Sequence, residues 1–374
     1  MSASRPGGPG DEVLGVRPVR VERPETVEEA AEALRRAHAE GLTVVPRGNG
    51  TRLHWGGVPR SCDVLLDTRS LDRVVEHAAG DLVVTVEAGV PLARLAEVLS
   101  PAGQQLALDS PVEATVGGAL ATASAGPRRL LYGTPRDLLI GVTVVRADGA
   151  IVKSGGKVVK NVAGYDLGKL YTGSFGTLGL IVRASFRLHP VPAQHAYVTV
   201  SGREPLKAVL ALLHSPLVPS AIELDGDASG SEVVALFEGS AAQARAAEAV
   251  RLLGGDARVG EEPAWWGAYP EGEVLVELRA KPSELPDVLS VGGVRVRGSA
   301  GSGVWFLAVP ASEAAELVVR LRARWTAIVR HAPVALHDEL DLWGPSSTLA
   351  LTRRVKDQFD PGHRLSPGRF IGGV

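Results

Sequence analysis

The hydrophobic pattern near the start of the chain predicts a helix, then a strand, then a glycine-containing loop. The helix begins behind Thr26, whose hydroxyl forms a capping box with Glu29, and it ends at Gly41. Its apolar face has helical spacing and consists of Val27, Ala30, Ala31, Leu34 and Ala37. The apolar run 42–45 then predicts a buried strand, which leads directly into the polar segment 46–52. This segment is therefore expected to be a loop at the end of a strand.

Strand and helix patterns continue to residue 190. They predict strands over 64–67, 82–87 and 178–188, a helix over 91–99 before Gly103, and a hairpin of strands 138–146 and 150–153. Asp148 and Gly149 suit a type I′ turn in that hairpin. The strand before Pro190 alternates strictly between apolar residues and smaller or polar ones. We therefore expect it to be half-buried.

From about residue 195 the same order of elements occurs twice: strand, helix, strand, strand, helix. The first copy covers 196–200, 205–214, 221–224, 232–238 and 241–253, and the second covers 273–278, 282–289, 293–297, 303–309 and 311–325. Two split β-α-β-β-α units of this kind predict one shared sheet with its helices on one face. The expected architecture is an α+β domain built as a ferredoxin-like repeat.

These patterns divide the chain into four predicted parts. Residues 1–19 are expected to be a flexible N-terminal arm, residues 20–190 a first domain, and residues 195–335 the α+β domain. Residues 336–374 contain a short helix followed by turns rich in Pro and Gly. We expect this tail to pack back on the first domain.

Composition narrows the class of protein. The chain has 374 residues, 45% hydrophobic and 22% charged, and a net charge of −2, which predicts a soluble globular protein of two domains. Without a basic block to neutralise phosphates, no nucleic-acid partner is expected. No run approaches the ~20 apolar residues of a membrane span and no secretion signal is visible, so a cytoplasmic protein is expected. The single cysteine, Cys62, excludes an internal disulfide and a cysteine-held metal or iron–sulfur centre.

Three glycine-containing regions carry the candidate chemistry. They are 47–51 after the first strand, 109–126 with several hydroxyl side chains, and 173–181 before the strand that precedes Pro190. Backbone N–H groups in such loops can bind the pyrophosphate of a flavin or nucleotide. Each region alone also has a structural explanation, as a surface turn, a close helix contact or a bulge. No Gly-x-Gly-x-x-Gly opens a βα unit, which disfavours a nicotinamide dehydrogenase.

In their order and spacing, the three regions together resemble a known family. The chain resembles the flavoenzymes with a vanillyl-alcohol-oxidase-type (PCMH) FAD domain in the segments 46–51, 109–118 and 176–181. Within that family it resembles the FAD-binding E subunits of glycolate oxidase in the segments 126–129, 160–167, 359–362 and 366–369. The resemblance covers about residues 20–190 and the tail. It implies a two-subdomain PCMH-type FAD-binding domain followed by an α+β cap domain.

The resemblance also implies which residues bind FAD. The pyrophosphate is expected at Pro46, Arg47, Gly48, Asn49, Gly50 and Thr51. The flavin side is expected at Asp109, Ser110, Thr115, Gly117, Gly118, Thr122 and Gly126, and the adenine side at Gly176, Thr177, Gly179 and Ile181. Family members that attach FAD covalently often use a His in the first loop, and 48–51 contains none. The resemblance therefore implies noncovalent FAD.

The sequence identifies no catalytic residue. Oxidation of a 2-hydroxy acid requires a cation for the carboxylate, a base for the hydroxyl proton and the flavin as hydride acceptor. The related catalytic subunit carries the signature His-x-Gly-Asp-Gly-Asn-x-His, which this chain lacks. The nearest cluster contains His331, His337, Asp338, Glu339 and Asp341. Its spacing matches neither that signature nor a metal pair, so we expect ordinary polar roles and no metal.

Two further groups of side chains have alternative interpretations. Arg128, Arg129, Tyr132 and Arg136 follow the second glycine region and suit a carboxylate, a phosphate or a partner subunit. An aromatic loop, with Trp265 and Trp266 followed by Tyr269, is bracketed by Pro and Gly. Its aromatic residues either pack into the α+β domain or form an association surface.

The resemblance leads to three functional hypotheses. In the first, the chain is a glycolate oxidase subunit that oxidises glycolate to glyoxylate, with D-lactate as the alternative acid. Its electrons pass to a second FAD subunit and an iron–sulfur subunit, and any membrane association runs through those partners. In the second, the chain is a non-catalytic structural or electron-relay subunit, which the missing His-rich signature supports. In the third, it is a self-sufficient flavin oxidase for another hydroxy acid, alcohol or aldehyde.

Overall fold

The computed structural model describes residues 3–157 and 165–374 and divides into two compact units. Unit 1 consists of Met1–Ser124, Thr134–Pro190 and Pro345–Val374, and unit 2 consists of Ala125–Gly133 and Val191–Gly344. Contacts thus group residues 125–133 with unit 2, whereas the sequence pattern places them in the first domain. Most of the family-like segment 160–167 lies outside the described residues.

The described strands and helices follow one another along the chain. The strands are β1 (Ala3–Pro6), β2 (Arg20–Arg23), β3 (Val44–Arg47), β4 (Val64–Asp67), β5 (Val74–Ala78), β6 (Val83–Glu87), β7 (Gln104–Gln105), β8 (Leu139–Val145), β9 (Ile151–Gly155), β10 (Leu180–Arg187), β11 (His189–Pro190), β12 (His195–Gly202), β13 (Ala221–Asp227), β14 (Gly230–Glu238), β15 (Arg258–Gly260), β16 (Val274–Arg279), β17 (Val296–Ser299), β18 (Val304–Val309) and β19 (Thr326–His331). The α-helices are α1 (Val27–Glu40), α2 (Leu92–Leu99), α3 (Val116–Thr122), α4 (Arg129–Tyr132), α5 (Pro135–Leu138), α6 (Gly168–Tyr171), α7 (Pro205–Leu213), α8 (Ala242–Leu253), α9 (Leu285–Leu289), α10 (Ala311–Arg322) and α11 (Leu349–Phe359). None of the helices in the described ranges has the length and apolarity that crossing a bilayer requires.

The first sheet of unit 1 has the strand order β1-β2-β4-β3, and helix α1 packs beside it. As predicted, the Thr26 hydroxyl accepts from the Glu29 N–H at 3.1 Å, and Gly41 ends the helix with a φ of 73°. The predicted apolar face of α1 is buried, where it packs with residues of β3 and β4 and also of β8 and β10. Helix α1 therefore joins the two larger sheets of unit 1.

The N-terminal residues are more ordered than the predicted flexible arm. Strand β1 pairs antiparallel with β2, and Val13 is fully buried. Asp11 forms ion pairs with Arg5 at 2.6 Å and with Arg47 at 3.2 Å. These ion pairs and the strand pairing attach the described part of 1–19 to unit 1.

The second sheet of unit 1 has the order β5-β6-β10-β8-β9 and is antiparallel. Its central strand, β10, is buried on both faces, whereas the alternating sequence predicts a half-buried strand. The polar side chains of β10 find partners inside the protein. Ser185 is hydrogen-bonded to Thr85 at 2.8 Å, and Arg183 lies 3.5 Å from Glu87. Alternation alone cannot distinguish such internal polar pairs from a face in water.

The hairpin of β8 and β9 forms where predicted, but its turn differs. The Gly149 N–H donates to the Arg146 carbonyl at 2.9 Å, and Gly149 has a φ of 80°. Asp148 does not have a positive φ, although a type I′ turn requires one at both central residues. The turn lies against α1, because a Cβ on Gly149 would come within 2.7 Å of the Ala31 carbonyl oxygen.

Unit 2 contains the predicted double β-α-β-β-α arrangement on one antiparallel sheet. The strand order is β15-β12-β14-β13-β17-β18-β16-β19, and the two copies meet where β13 pairs with β17. Residues from α7, α8, α9 and α10 share one apolar core with the sheet. The edge strands β15 and β19 are not predicted from the sequence; all three residues of β15 are exposed and show no apolar pattern.

The aromatic loop after β15 packs against the other face of this sheet. The Trp266 and Tyr197 ring centroids lie 5.2 Å apart, and the Trp265 indole N–H donates to Glu232 at 2.9 Å. Tyr269 lies 4.6 Å from the Phe306 ring. All three aromatic side chains of the loop are half-buried, which favours the packing interpretation over a free association surface.

A buried ionic cluster lies in the same sheet. Glu277 on β16 is 5% exposed and accepts from Arg330 at 2.8 Å and from Arg279 at 2.9 Å. Burial raises the pKa of Glu277, but the charges and hydrogen bonds of the two arginines outweigh it, so the pKa lies below its usual value. The carboxylate is thus ionised in the folded protein down to unusually low pH.

Replacing this carboxylate should destabilise unit 2 in a pH-dependent way. We expect Glu277→Gln to lower the free energy of unfolding by about 3 kcal/mol at pH 7, because it replaces the carboxylate that pairs with the buried Arg330 by a neutral amide. Since the folded-state pKa is lowered, the stabilisation by Glu277 is complete above about pH 4.5 and is lost as the pH falls further. Urea unfolding followed by tryptophan fluorescence at pH 7 and pH 3 measures this, because Trp305 is buried in unit 2. A difference that does not shrink at low pH contradicts the prediction, and the exposed Glu248→Gln is the control.

The tail returns to unit 1 and buries an ion pair there. Lys356 on α11 is fully buried and donates to Asp360 and to the Thr177 carbonyl at 2.7 Å each, and to the Leu365 carbonyl at 2.9 Å. The same Asp360 oxygen accepts from the Leu365 N–H at 2.7 Å. Burial lowers the pKa of Lys356, and the carboxylate of Asp360 opposes that shift. One side chain thus joins α11, the third glycine region and the tail.

Candidate functional site

The three glycine-containing regions line a common pocket in unit 1. Its lining consists of Pro46, Arg47, Gly48, Asn49, Gly50, Thr51, Arg52, Leu53, Thr115, Gly118, Ala121, Thr122, Phe175, Gly176 and Arg369. The cavity is open to solvent and measures about 80 Å³. This is well below the roughly 300–1,000 Å³ of pockets that enclose a drug-sized ligand. It therefore suits one group of a large cofactor, such as a pyrophosphate, rather than the whole molecule.

The first loop contributes backbone donors to this pocket. It follows β3, and the Asn49 side-chain amide donates to the Glu113 carbonyl at 2.7 Å, which connects the loop to the second region. Within residues 3–157 and 165–374, the backbone N–H groups of 48–51 donate to no protein acceptor. Consecutive free N–H groups in a glycine loop form a concave anion-binding surface.

The first loop requires glycine at positions 48 and 50 for two different structural reasons. A Cβ on Gly48 would lie 2.1 Å from the Thr115 hydroxyl, so Gly48 allows the loop to approach α3. Gly50 has a φ of 76°, and a Cβ there would meet only Leu53, at 4.0 Å. Gly48 is therefore needed for packing, whereas Gly50 is needed for its left-handed backbone and leaves open space beside the pocket.

The second and third regions complete the lining. The Thr115 hydroxyl caps α3 and accepts from the Gly118 N–H at 3.3 Å, and the Thr122 hydroxyl donates to the Gly118 carbonyl at 2.8 Å. Gly176 has a φ of 72°, and a Cβ there would lie 3.2 Å from both Pro46 and Ser366. Small residues thus allow three separate segments to meet.

Other predicted FAD-binding residues lie outside the pocket lining. These are Asp109, Ser110, Gly117, Gly126, Thr177, Gly179 and Ile181. Several have structural contacts: the Ser110 hydroxyl donates to the Ser124 carbonyl at 3.0 Å, and Gly117 packs on Ala88. The Thr177 hydroxyl donates to Ser174, while a Cβ on Gly179 would lie 2.5 Å from Val144. Gly126 belongs to unit 2, where its carbonyl accepts from Arg129.

Sequence reasoning did not single out several lining residues, above all Arg369. The guanidinium of Arg369 donates to the carbonyls of Leu53 at 2.9 Å, Trp55 at 2.8 Å and Gly57 at 3.1 Å. Burial lowers the pKa of Arg369 to about 10, which leaves it charged at neutral pH. The turn 366–369 was the only available signal, and it gave no indication of this contact.

Several polar side chains that the sequence left with more than one interpretation have ordinary contacts within the protein. In unit 2, Arg128 lies 3.7 Å from Glu238 and over the Tyr132 ring, and Arg129 donates to the carbonyls of the segment before it. His337 contacts the Ala332 carbonyl at 3.3 Å. Across 3–157 and 165–374, no group of three His, Cys, Asp or Glu side chains could hold a metal ion.

Comparison with known protein families identifies the region that contains the first two glycine segments. Residues 18–155 match the family described as "FAD binding domain". Residues 18–155 form an FAD-binding domain. FAD is accordingly the cofactor of this chain. The FAD-binding domain includes the first loop and the second region, whereas the third region lies beyond the match.

Two curated relatives are similar to part of this chain. The D-2-hydroxyglutarate dehydrogenase of Xanthomonas citri pv. viticola is 32% identical over 226 residues, covering 58% of this chain and 47% of that protein. The glycolate oxidase subunit GlcE of Escherichia coli is 40% identical over 130 residues, covering 34% of this chain and 37% of that protein. The chain thus spans less than half the length of either relative in these matches.

A solved structure extends the similarity to nearly the whole fold. An alkyldihydroxyacetonephosphate synthase matches with a TM-score of 0.68 and 17% sequence identity, covering 94% of this chain and 76% of that one. This match supports the fold and carries no further implication. The prediction of an α+β chain with a PCMH-type FAD-binding domain is confirmed.

Proposed function

We propose that the chain is the FAD-binding subunit of a 2-hydroxy-acid oxidoreductase of the glycolate oxidase type. The observation that carries this proposal is the pocket of unit 1, in which the three glycine regions meet. The first two of these regions belong to the FAD-binding domain, and the third follows it in the sequence. The names of the relatives, a D-2-hydroxyglutarate dehydrogenase and a glycolate oxidase subunit, supply the substrate class. Glycolate is the proposed substrate and glyoxylate the product, with D-lactate as the alternative acid.

The pocket fits the pyrophosphate of FAD by its donors and by its shape. The N–H groups of 48–51, which have no acceptor within the described ranges, would bind phosphate oxygens, and Gly50 leaves room for them. Thr51 adds a hydroxyl to the lining. Gly118 and Gly176 line the neighbouring parts of the pocket without a side chain that would fill it. We propose that FAD is held noncovalently, because the first loop contains no His.

Bound FAD supplies an acceptor for the hydride that leaves the α-carbon of a 2-hydroxy acid. The chain's own residues would hold the cofactor, and the base for the hydroxyl proton is not assigned. The single cysteine cannot hold an iron–sulfur cluster, and we propose that the electrons pass on to a second FAD subunit and an iron–sulfur subunit. Any association with a membrane would run through these partners.

A second candidate function is a non-catalytic subunit that keeps the FAD fold for assembly or electron relay. The observation in its favour is the missing signature His-x-Gly-Asp-Gly-Asn-x-His. In this case the acid would be oxidised on another chain, and the FAD-binding domain described above would serve a relay or structural role.

An absorption spectrum of the purified full chain tests the proposal. We expect flavin bands that pass into the supernatant after acid precipitation, because the binding groups are noncovalent donors. Anaerobic addition of glycolate, D-lactate or D-2-hydroxyglutarate should then bleach the flavin. A flavin that stays yellow until a partner subunit is added supports the second candidate. A colourless chain that takes up no added FAD overturns the first proposal and the electron-relay role and leaves a structural subunit, and flavin that remains in the pellet overturns noncovalent attachment.

A further inference from the structure

Arg369 is a buried cation with no carboxylate partner among the residues that the structure describes. Its residue is 4% exposed, and it lies in the lining of the unit 1 pocket. In the described part of the chain its acceptors are the backbone carbonyls of Leu53, Trp55 and Gly57, and no carboxylate pairs with it. Carbonyl dipoles solvate a guanidinium only in part, so burial of this charge is costly.

The thiol of Cys62 interacts electrostatically with Arg369 but carries no compensating negative charge. This thiol is 4% exposed and donates to the Val64 carbonyl at 3.7 Å. Burial raises the pKa of Cys62 to about 12, so the thiol is neutral at physiological pH. The positive charge of Arg369 therefore remains uncompensated by the described protein groups.

The other arginines of the pocket differ in this respect. Arg47 forms ion pairs with Asp11 at 3.2 Å and with Asp67 at 3.3 Å, so its charge is already balanced. Arg52 is half-buried and stacks over the Trp55 ring at 4.7 Å, with a hydrogen bond to the Thr51 carbonyl. Among the three, Arg369 combines deep burial, a place in the lining and the absence of a carboxylate.

We infer that Arg369 is the counter-charge for the FAD pyrophosphate, supplied to the first loop by the C-terminal tail. The inference rests on the proposed function, in which this pocket binds the pyrophosphate. Its guanidinium would orient the loop through the carbonyls of 53–57 and balance the negative charge that the N–H groups of 48–51 bind. The tail thus becomes part of the cofactor site, although Arg369 follows the matched FAD-binding region by more than two hundred residues.

Titration of the full chain with FAD, followed by flavin fluorescence, tests the inference. We expect Arg369→Met to raise the dissociation constant for FAD by about 10- to 100-fold, the range for loss of a charge-assisted contact. Arg369→Lys keeps the charge but loses the planar donor fork, so it should bind FAD less tightly than the wild type and more tightly than Arg369→Met. Arg364→Met is the matched control. Arg364 also lies in the tail and donates to a backbone carbonyl earlier in unit 1, that of Gly41, but it does not line the pocket.

Inorganic pyrophosphate gives a second readout that does not depend on the flavin. Millimolar pyrophosphate should raise the thermal midpoint of the FAD-free wild-type chain, and this shift should be lost in Arg369→Met. The inference is overturned if Arg369→Met binds FAD within 3-fold of the wild type, or if pyrophosphate does not stabilise the wild type. It is also overturned if Arg369→Lys is as weak as Arg369→Met, because the side chain would then serve only to hold carbonyls. Failure of the wild type to bind FAD at all would instead overturn the proposed function.

Discussion

Lys356→Met is expected to lower the free energy of unfolding of unit 1 by about 3–5 kcal/mol. The substitution leaves the carboxylate of Asp360 buried, at 1% exposure, without its cation, and it removes the donor to the carbonyls of Thr177 and Leu365. Urea unfolding followed by circular dichroism measures the loss. Hydrogen exchange of α11 should increase in parallel, because α11 is the element that carries the lysine.

A double variant separates the ionic contribution from the loss of packing. Lys356→Met combined with Asp360→Asn removes both charges and keeps an oxygen for the Leu365 N–H, so it should be more stable than Lys356→Met alone. Arg35→Met provides the control in unit 1, because Arg35 and Glu32 form an exposed i,i+3 pair on α1, where the cost should stay below about 0.5 kcal/mol. A loss below about 1 kcal/mol for Lys356→Met would show that the buried pair does not stabilise the fold.

Gly50→Leu is expected to abolish retention of FAD by the purified chain. The substitution forces a left-handed backbone on a side-chain-bearing residue, at a cost of about 1–2 kcal/mol, and it puts that side chain in the open space beside the pocket. The flavin-to-protein absorbance ratio after gel filtration measures retention. We expect a ratio close to zero, with the fold intact by circular dichroism.

Gly103→Leu matches this substitution in everything except location. Gly103 has a φ of 63° and follows α2, and a Cβ there would meet no atom within 4 Å. The backbone strain is therefore similar, and Gly103→Leu should keep its FAD. His337→Ala, in unit 2, should also keep it. If both glycine variants lose FAD equally, general destabilisation explains the loss; if Gly50→Leu keeps FAD, the first loop does not bind the pyrophosphate.

Local signals made much of the fold predictable. Helix α1 follows from apolar spacing, a hydroxyl cap and a terminal glycine, all within the segment 26–41, and the structure reproduces each of them. The double β-α-β-β-α order of unit 2 follows equally from period and turns. The first loop was recognisable because Gly48 and Gly50 directly follow a buried strand. Such features depend on near neighbours in sequence.

Features that depend on distant neighbours were not predictable. Arg369 contacts Leu53 across 316 positions, and Lys356 contacts Thr177 across 179 positions. A single sequence contains no signal for such pairs, and a buried arginine or lysine has the same letter as an exposed one. The misjudged face of β10 has a related cause, because Ser185 finds its partner, Thr85, on another strand 100 positions away.

The discontinuity of unit 1 has a consequence for the order in which the protein folds during synthesis. Strand β10 is the centre of the second sheet, and the buried Lys356 lies in a piece that the ribosome makes only after residues 191–344. All residues of unit 2 are therefore synthesised before the last segment of unit 1. Until that segment is made, the pocket of unit 1 lacks the residues that the tail contributes. A chain stalled before residue 345 would present a finished α+β unit beside an incomplete one, which chaperones and proteases recognise by its exposed apolar surface.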